Sequence, residues 1–224
     1  MPKLRAHNIA MSVDGFMAGP SQSMDDPLGV GGTRLHEWAF ATRSFQQMHE
    51  SFAANDSEEP GATGIDDQFI AAGDTGIGAT ILGRNMFGPI RGTWGDEQWT
   101  GWWGDSPPYH HHVFVLTHHA RDPIPMAGGT TFHFVTSGIE DALSAAFAAA
   151  GGLDVRLGGG AATIQQYLRA GLLDELHVAI VPILLGSGER LFPDGAASSA
   201  MECVEFVASP AVAHVRLARP GSTG

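Results

Sequence analysis

The fold is decided by one stretch in the second half of the chain, Val155-Arg156-Leu157-Gly158-Gly159-Gly160-Ala161-Ala162-Thr163. A short apolar strand ends there in three glycines, and the residues from Ala161 to Ala170 have the pattern of a helix. Glycines between a strand and a helix leave backbone N–H groups uncovered at the positive end of the helix dipole. The stretch therefore predicts a βα turn that binds a pyrophosphate. A tight turn without a ligand is the alternative.

Strand and helix patterns alternate on both sides of this turn. Strands are predicted at Leu4–Met11, Ala79–Leu82, Val113–Thr117, Thr131–Thr136 and Leu176–Leu184. Short helices are predicted at 66–72 and from a capping box at Ser137-Gly138-Ile139-Glu140 to Ala150. A hairpin is predicted to close the chain, with strands at Glu202–Ala208 and Val212–Ala218. Because strand–helix–strand connections favour parallel pairing, we expect an α/β fold with a mainly parallel central sheet. The hairpin would add antiparallel strands at one edge.

The length and composition fit one globular domain. The 224 residues include 43% hydrophobic residues, enough for a sizeable core. Residues 19–64 are rich in Gly, Pro, Ser and acids, and we interpret them as an insertion carrying one helix from His36 to Ala53. The apolar set of this segment is too small for a core of its own. We therefore expect a single domain over residues 1–224.

Charge and rare residues exclude several classes of function. The net charge of -12 disfavours binding to nucleic acid, which usually requires a basic surface. The only lysine is Lys3, beside the terminus, so Schiff-base and P-loop chemistry are close to excluded. The only cysteine, Cys203, permits no internal disulfide, which fits a cytoplasmic setting. The longest apolar run, Val178–Leu185, is too short to span a bilayer.

A few charged residues are candidates for a site. Arg84 follows Gly83 at the end of a predicted strand, where a guanidinium suits a phosphate, although a surface ion pair is the alternative. Asp14, in the turn after the first strand, and Asp66 and Asp67, at the start of a helix, are candidate acids. Capping of the helix is the alternative for Asp66 and Asp67. The histidines at 110–112 and 118–119 lack a carboxylate at metal spacing. We expect strand-end and loop histidines there and no metal site.

Several motifs in this order resemble the dihydrofolate-reductase-like family. They are Met11-Ser12-Val13-Asp14-Gly15-Phe16, Ile81-Leu82-Gly83-Arg84-Asn85-Met86-Phe87 and Leu157-Gly158-Gly159-Gly160. Three shorter motifs follow, Leu172-Leu173-Asp174-Glu175-Leu176-His177, Val181-Pro182-Ile183-Leu184-Leu185-Gly186-Ser187-Gly188 and Leu191-Phe192. The chain is most similar to stand-alone relatives of the C-terminal reductase domain of bifunctional riboflavin-biosynthesis deaminase/reductases. The deaminase's zinc signature is absent. The resemblance implies a three-layer fold and hydride transfer from NADPH to a pterin-like, pyrimidine-like or other small carbonyl or heterocyclic substrate.

The resemblance also assigns roles to residues. It places Gly158, Gly159, Gly160, Ala161 and Thr163 at the pyrophosphate, Gly83, Arg84, Asn85, Thr117 and His118 on the adenosine side, and Ile9 and Ala10 at the nicotinamide. It makes Asp67 the acid that fixes and helps protonate the substrate, with Asp14 as the alternative. Residues 19–64 are expected to cover this site, with His36 or Trp38 against the substrate.

Two further expectations concern assembly and activity. Family resemblance and the apolar 178–185 strand suggest a homodimer that binds a small-molecule substrate. The competing hypothesis is a non-catalytic nucleotide-binding or ligand-sensing protein of the same fold. Oxidation of bound NADPH would separate these two functions.

Overall fold

The computed structural model describes residues 1–49, 60–88, 92–95, 99–192 and 201–221. Its strands are β1 (Leu4–Ser12), β2 (Phe16–Ala18), β3 (Ile77–Gly83), β4 (His112–Leu116), β5 (Ile124–Pro125), β6 (Thr131–Val135), β7 (Asp154–Gly159), β8 (Glu175–Val181), β9 (Glu189–Arg190), β10 (Glu202–Ala208) and β11 (Ala213–Ala218). Its α-helices are α1 (Glu37–Phe40), α2 (Arg43–Met48), α3 (Ile65–Asp74), α4 (Arg84–Phe87), α5 (Ile139–Ala149) and α6 (Ala161–Arg169). Short 3₁₀ helices lie at Gly32–Leu35 and Ala127–Gly129.

A nine-stranded sheet forms the centre, in the order β10-β11-β8-β1-β7-β3-β4-β6-β5. The six strands from β8 to β6 in that order pair in parallel. The hairpin of β10 and β11 joins the β8 edge in antiparallel fashion, and β5 does the same at the other edge. The expected α/β fold with a mainly parallel sheet and a C-terminal hairpin at one edge is confirmed. All the parallel strands therefore end at the same side of the sheet.

Helices and loops cover both faces of the sheet and make three layers. One face carries α5 and α6, which pack on a core that includes Leu157, Ile164 and Tyr167. On the opposite face, α1 and α3 pack over β1 and β8. The rest of that face, over β3, β4 and β6, is covered by α4 and by tryptophans of the 94–103 loop. Among the described residues, no helix has the length and apolar composition needed to cross a lipid bilayer.

The single helix expected from His36 to Ala53 is wrong. The chain instead forms α1 and α2, which are separated at Ala41 and Thr42. Thr42 has an extended backbone, and its hydroxyl accepts a hydrogen bond from Phe45 N at 3.3 Å, so it is the N-cap of a new helix. The apolar spacing was compatible with one helix, but the capping threonine interrupts it. Residues 50–53 of the expected helix lie outside the described residues.

Candidate functional site

The carboxyl ends of β3 and β7 meet against the start of α6. A Cβ atom at Gly83, the last residue of β3, would lie 2.3 Å from Thr163 Oγ1 and 3.4 Å from Gly160 N. A side chain at position 83 would therefore push these elements apart. Gly159 has a φ of +115°, a backbone conformation that suits glycine. The glycines of the predicted phosphate turn and Gly83 thus form one continuous backbone surface.

The N-terminus of α6 is open and bare. Gly160 is its N-cap and provides no side-chain hydrogen bond, and no acid lies in the first turn. Apart from Gly160 itself and its two chain neighbours, no atom of the described residues lies within 4 Å of the point that a Cβ at Gly160 would occupy. The first N–H groups of a helix lack partners inside the helix, so this end of α6 presents donors and a partial positive charge to open space. Helix ends of this kind suit anions, and the predicted pyrophosphate would meet such N–H donors here.

Arg84 stands directly beyond this surface, as the first residue of α4. Its Nη1 donates to Gly88 O at 3.2 Å, and its guanidinium carbon lies 3.5 Å from the centre of the Trp94 ring. Burial and the charge of Arg121 lower the pKa of Arg84 to about 10, which leaves it a cation at neutral pH. Asn85 follows on the same helix and is partly buried. A cation therefore sits one residue from the glycine surface.

The neighbouring strand contributes Thr117 and His118 to the same edge. β4 pairs with β3 so that Leu116 lies opposite Gly83, which places Thr117 at the next position. The Thr117 hydroxyl accepts from His119 N at 3.2 Å and its side chain is buried, whereas His118 is exposed. The structure thus brings most of the predicted cofactor residues to one edge of the sheet.

Strand β1 carries Ile9 and Ala10 into the middle of the molecule. Ile9 points to the core under α5 and α6, whereas Ala10 packs with Leu35 and Trp38 on the opposite face. The pairing of β1 with β8 shifts between Ala6 and Ile9, which marks a bulge. The bulge lies directly before Ile9 and Ala10, whose backbone is predicted to face the nicotinamide.

The two predicted substrate residues lie in different surroundings. Trp38 on α1 is 6% exposed and packs in the same cluster as Ala10. His36 stacks instead on Phe40, and its Nδ1 lies 3.4 Å from Gly32 O. Burial lowers the pKa of His36, so its ring is neutral at neutral pH. Of the two, Trp38 is the one that the structure places beside Ala10.

Asp14 holds two loops together. Its carboxylate accepts from Ser12 Oγ at 2.6 Å, from Leu185 N at 3.1 Å and from Gly186 N at 2.7 Å. The bond from Ser12 is the largest cause that lowers the pKa of Asp14 to about 2, and the two backbone bonds add to it. Asp14 is therefore an ionised acceptor that ties the end of β1 to the loop after β8.

Asp67 also accepts a hydrogen bond, but only one from the described residues. Its Oδ1 accepts from Ser44 N at 2.7 Å, which satisfies a free donor in the first turn of α2. The bond joins α3 to the helix that follows Trp38 in the 19–64 segment. The partly buried Asp67 therefore lies between α3 and the expected cover of the site.

Residues 4–215 match the sequence pattern of one known protein family, which is described as RibD C-terminal domain. The chain belongs to this family. The resemblance inferred from its motifs is confirmed. No protein with a curated function matches the chain.

Solved structures show the same fold at low sequence identity. A proposed riboflavin biosynthesis protein from Shewanella sp. PV-4 is 21% identical, with coverage of 98% of this chain and 99% of that one and a TM-score of 0.59. Dihydrofolate reductase from Enterococcus faecalis complexed with NADP(H) is 15% identical, with coverages of 97% and 96% and a TM-score of 0.51. The deaminase/reductase of Thermotoga maritima is 12% identical, with a TM-score of 0.52, and this chain covers 56% of it.

A buried chain of hydrogen bonds in this RibD C-terminal domain could not be seen in the sequence. Asn8 N donates to His177 Nδ1 at 3.1 Å, the nitrogens His177 Nε2 and His214 Nδ1 are 3.0 Å apart, and His214 Nε2 lies 2.7 Å from Asp66 Oδ1. A backbone N–H can only donate, so His177 must donate from Nε2 and His214 must donate from Nε2 to Asp66. Both rings are therefore neutral, and Asp66 is an acceptor instead of the helix cap that was its alternative.

This histidine chain links the two parts of the site. It begins at Asn8, which has a φ of 58° and lies in the β1 bulge before Ile9 and Ala10. It ends at Asp66 on α3, beside Asp67. Phe69 stacks on both histidine rings, with centroid distances of 4.5 Å and 4.0 Å. The chain thus fixes the position of α3 relative to the nicotinamide side of β1.

Histidines before and on β4 make separate contacts with residues of the neighbouring strands. His112 Nδ1 and His133 Nε2 are 2.9 Å apart on neighbouring strands, and His111 Nε2 lies 2.8 Å from Thr80 Oγ1. Within the described ranges, no group of three or more His, Cys, Asp or Glu side chains is arranged to hold a metal ion.

The histidine chain predicts a pH dependence of stability. Burial lowers the pKa of His177 from 6.5 to about 3, so the unfolded chain binds a proton there below about pH 6.5 while the folded chain does not. The free energy of unfolding should therefore fall as the pH drops from 6.5 towards 3, by at most about 1.4 kcal/mol per pH unit for one group. Urea unfolding at a series of pH values should show a shallower slope for His177→Gln than for wild type.

The exposed His118 provides the control for this measurement. His118→Gln should leave the slope unchanged, because His118 is exposed and takes no part in the buried hydrogen-bond chain. A slope for His177→Gln equal to that of wild type would show that His177 is not held neutral by its surroundings.

Proposed function

We propose that this protein is an NADPH-dependent reductase that transfers a hydride to a pterin-like, pyrimidine-like or other small carbonyl or heterocyclic substrate. One observation carries the proposal: the uncapped N-terminus of α6 opens beside Gly83 and Arg84. A backbone anion site and a cation next to it match the pyrophosphate and the ribose phosphate of one dinucleotide. Membership of the RibD C-terminal domain family and the fold shared with an NADP(H)-bound reductase support it.

The cofactor would extend along the carboxyl edge of the sheet. Gly158, Gly159, Gly160 and Ala161 would hold the pyrophosphate, and Thr163 would support this turn through its contact with Gly83. The adenosine would lie towards Arg84, Asn85, Thr117 and His118, and the backbone of Ile9 and Ala10 would position the nicotinamide. When bound, NADPH supplies the hydride, and the protein orients it and excludes water.

The substrate side would be built from α1 and α3 around Ala10. Trp38 provides a flat, buried surface there, which suits a planar ring, and His36 lies at the start of the same helix. The segment from 19 to 64 would cover the ring and exclude water. Asp67 is the better candidate for the acid, because three hydrogen bonds hold Asp14 ionised with a pKa of about 2.

We also propose that the reductase is a cytoplasmic homodimer. Val204 and Phe206 on the edge strand β10 are 42% and 67% exposed, and apolar side chains at a sheet edge favour contact with a second copy. The single cysteine, Cys203, lies exposed on the same strand, which suits a reducing compartment.

Replacing Arg84 should change the choice of cofactor. NADPH and NADH differ in a ribose phosphate that is a dianion near neutral pH, so a cation placed against it discriminates between them. In a chain with a net charge of -12, the local arginine must overcome a general repulsion of that phosphate. We expect wild type to bind NADPH more tightly, and Arg84→Ala to lose about 10–100-fold in NADPH affinity but much less for NADH.

Calorimetric titration of wild type and variant with both cofactors at fixed ionic strength provides the measurement. Equal losses of affinity for NADPH and NADH in Arg84→Ala would show that Arg84 has a structural role and does not select the cofactor. Tighter binding of NADH by wild type would contradict the cofactor assignment.

Replacing Asp67 should reduce turnover more than cofactor binding. In Asp67→Asn the amide oxygen can still accept from Ser44 N, so α2 and α3 stay joined while the ionisable group is lost. Oxidation of NADPH by pterins, pyrimidine flavin precursors and quinones should be slowed about 10²–10⁴-fold, with NADPH affinity nearly unchanged.

Asp66→Asn is the matched control, since it neutralises the adjacent carboxylate but keeps an acceptor for His214. An equal loss of turnover in both variants would remove the special role of Asp67. Tight NADPH binding by wild type, without oxidation by any compound of these classes, would favour a nucleotide-binding or ligand-sensing protein.

A further inference from the structure

The tryptophan-rich loop is anchored to the sheet beside the proposed adenosine side. Trp94 Nε1 donates to His119 O at 2.9 Å, and its ring meets Phe134 edge-on at 5.0 Å. Trp99 Nε1 donates to Phe87 O at 2.9 Å. Both indole N–H groups are therefore used to fix the rings in place. The face of Trp94 is then held at a set position next to α4.

Arg84 lies on that face. At 3.5 Å from the ring centre, its guanidinium makes a cation–π contact. This contact uses the face of the guanidinium and leaves its N–H donors, which lie in the plane, available for an acceptor. One of them donates to Gly88 O, and the buried Nε has no hydrogen-bond partner among the described residues. The Trp94 face thus holds the Arg84 guanidinium in one position with N–H donors free to bind an acceptor.

Three other partly buried cations of the chain form ion pairs with carboxylates. Lys3 pairs with Glu175, Arg5 with Asp154 and Arg156 with Asp74. Within the part of the chain that the structure describes, Arg84 has no such ion pair, although acids outnumber basic residues by 24 to 12. The pKa of Arg84 is lowered by burial and by Arg121, so keeping its positive charge there costs free energy. An anionic ligand would offset that cost.

We propose that Trp94 is a positioning residue that holds the Arg84 guanidinium ready for a phosphate monoester on the ribose of the cofactor. The tryptophan-rich loop then contributes to the preference for a phosphorylated dinucleotide, although its indole never touches the phosphate. This inference rests on the proposed function and adds to it a residue that lies ten positions away from Arg84 in an irregular loop.

The test uses a probe that contains only this part of the cofactor. Calorimetry compares adenosine 2′-monophosphate with adenosine 5′-monophosphate on wild type, Trp94→Leu and Trp94→Phe. We expect wild type to prefer the 2′-phosphate, and Trp94→Leu to lose about 3–30-fold in affinity for it, since a cation–π contact between desolvated groups has this strength. Trp94→Phe should recover most of the loss, because phenylalanine also presents an aromatic face.

Trp102→Leu is the matched control, because Trp102 belongs to the same loop and packs on Trp99 instead of Arg84. It should leave the preference unchanged. Unchanged affinity of Trp94→Leu for adenosine 2′-monophosphate would overturn the inference, as would an equal loss for both monophosphates, which marks a merely structural role.

The NADPH affinity of the same variants separates this inference from the proposed function. If wild type binds NADPH tightly and Trp94→Leu keeps the full preference for NADPH over NADH, the proposed role of Trp94 is overturned. The reductase proposal then remains intact. Wild type that binds neither adenosine 2′-monophosphate nor NADPH overturns both.

Discussion

The close approach of β3 and β7 to α6 is the constraint on which the site depends. Only a residue without a side chain fits at Gly83, because a Cβ there would meet Thr163 Oγ1 at 2.3 Å. This approach places the first residue of α4, Arg84, beside the uncapped end of α6 at Gly160. The residue that carries the cation therefore directly follows the glycine that packs against the start of α6, before any ligand is considered.

The other half of the site depends on a different constraint, the buried histidine chain. His177 and His214 occupy diagonal positions of two antiparallel strands on the same face, and they connect the β1 bulge to Asp66 on α3. A buried polar chain of this kind stabilises the fold only when every member has a partner, and here the direction of each bond is fixed. The helix that carries Asp67 is thereby held over the strand that carries Ala10.

The sequence was sufficient where local chemistry decides the structure. The alternation of strand and helix patterns predicted the parallel sheet, and two strand patterns at Glu202–Ala208 and Val212–Ala218 predicted the terminal hairpin. The sequence was insufficient where contacts between residues far apart in the chain determine the structure. The pairing of His177 with His214 follows from the register of β8 and β11, and the stacking of Arg84 on Trp94 follows from an irregular loop. Neither leaves a periodic signal. The expected long helix failed because the capping by Thr42 outweighed apolar spacing.

The central claim is that the carboxyl edge of the sheet binds the phosphates of NADPH. Hydrogen–deuterium exchange, measured with and without NADPH, tests this claim at the level of single backbone segments. The account predicts that NADPH slows exchange in peptides that cover Gly158–Thr163 and Gly83–Asn85, with no change in β10. Unchanged exchange in both segments at a saturating NADPH concentration, or protection confined to another edge, would contradict it.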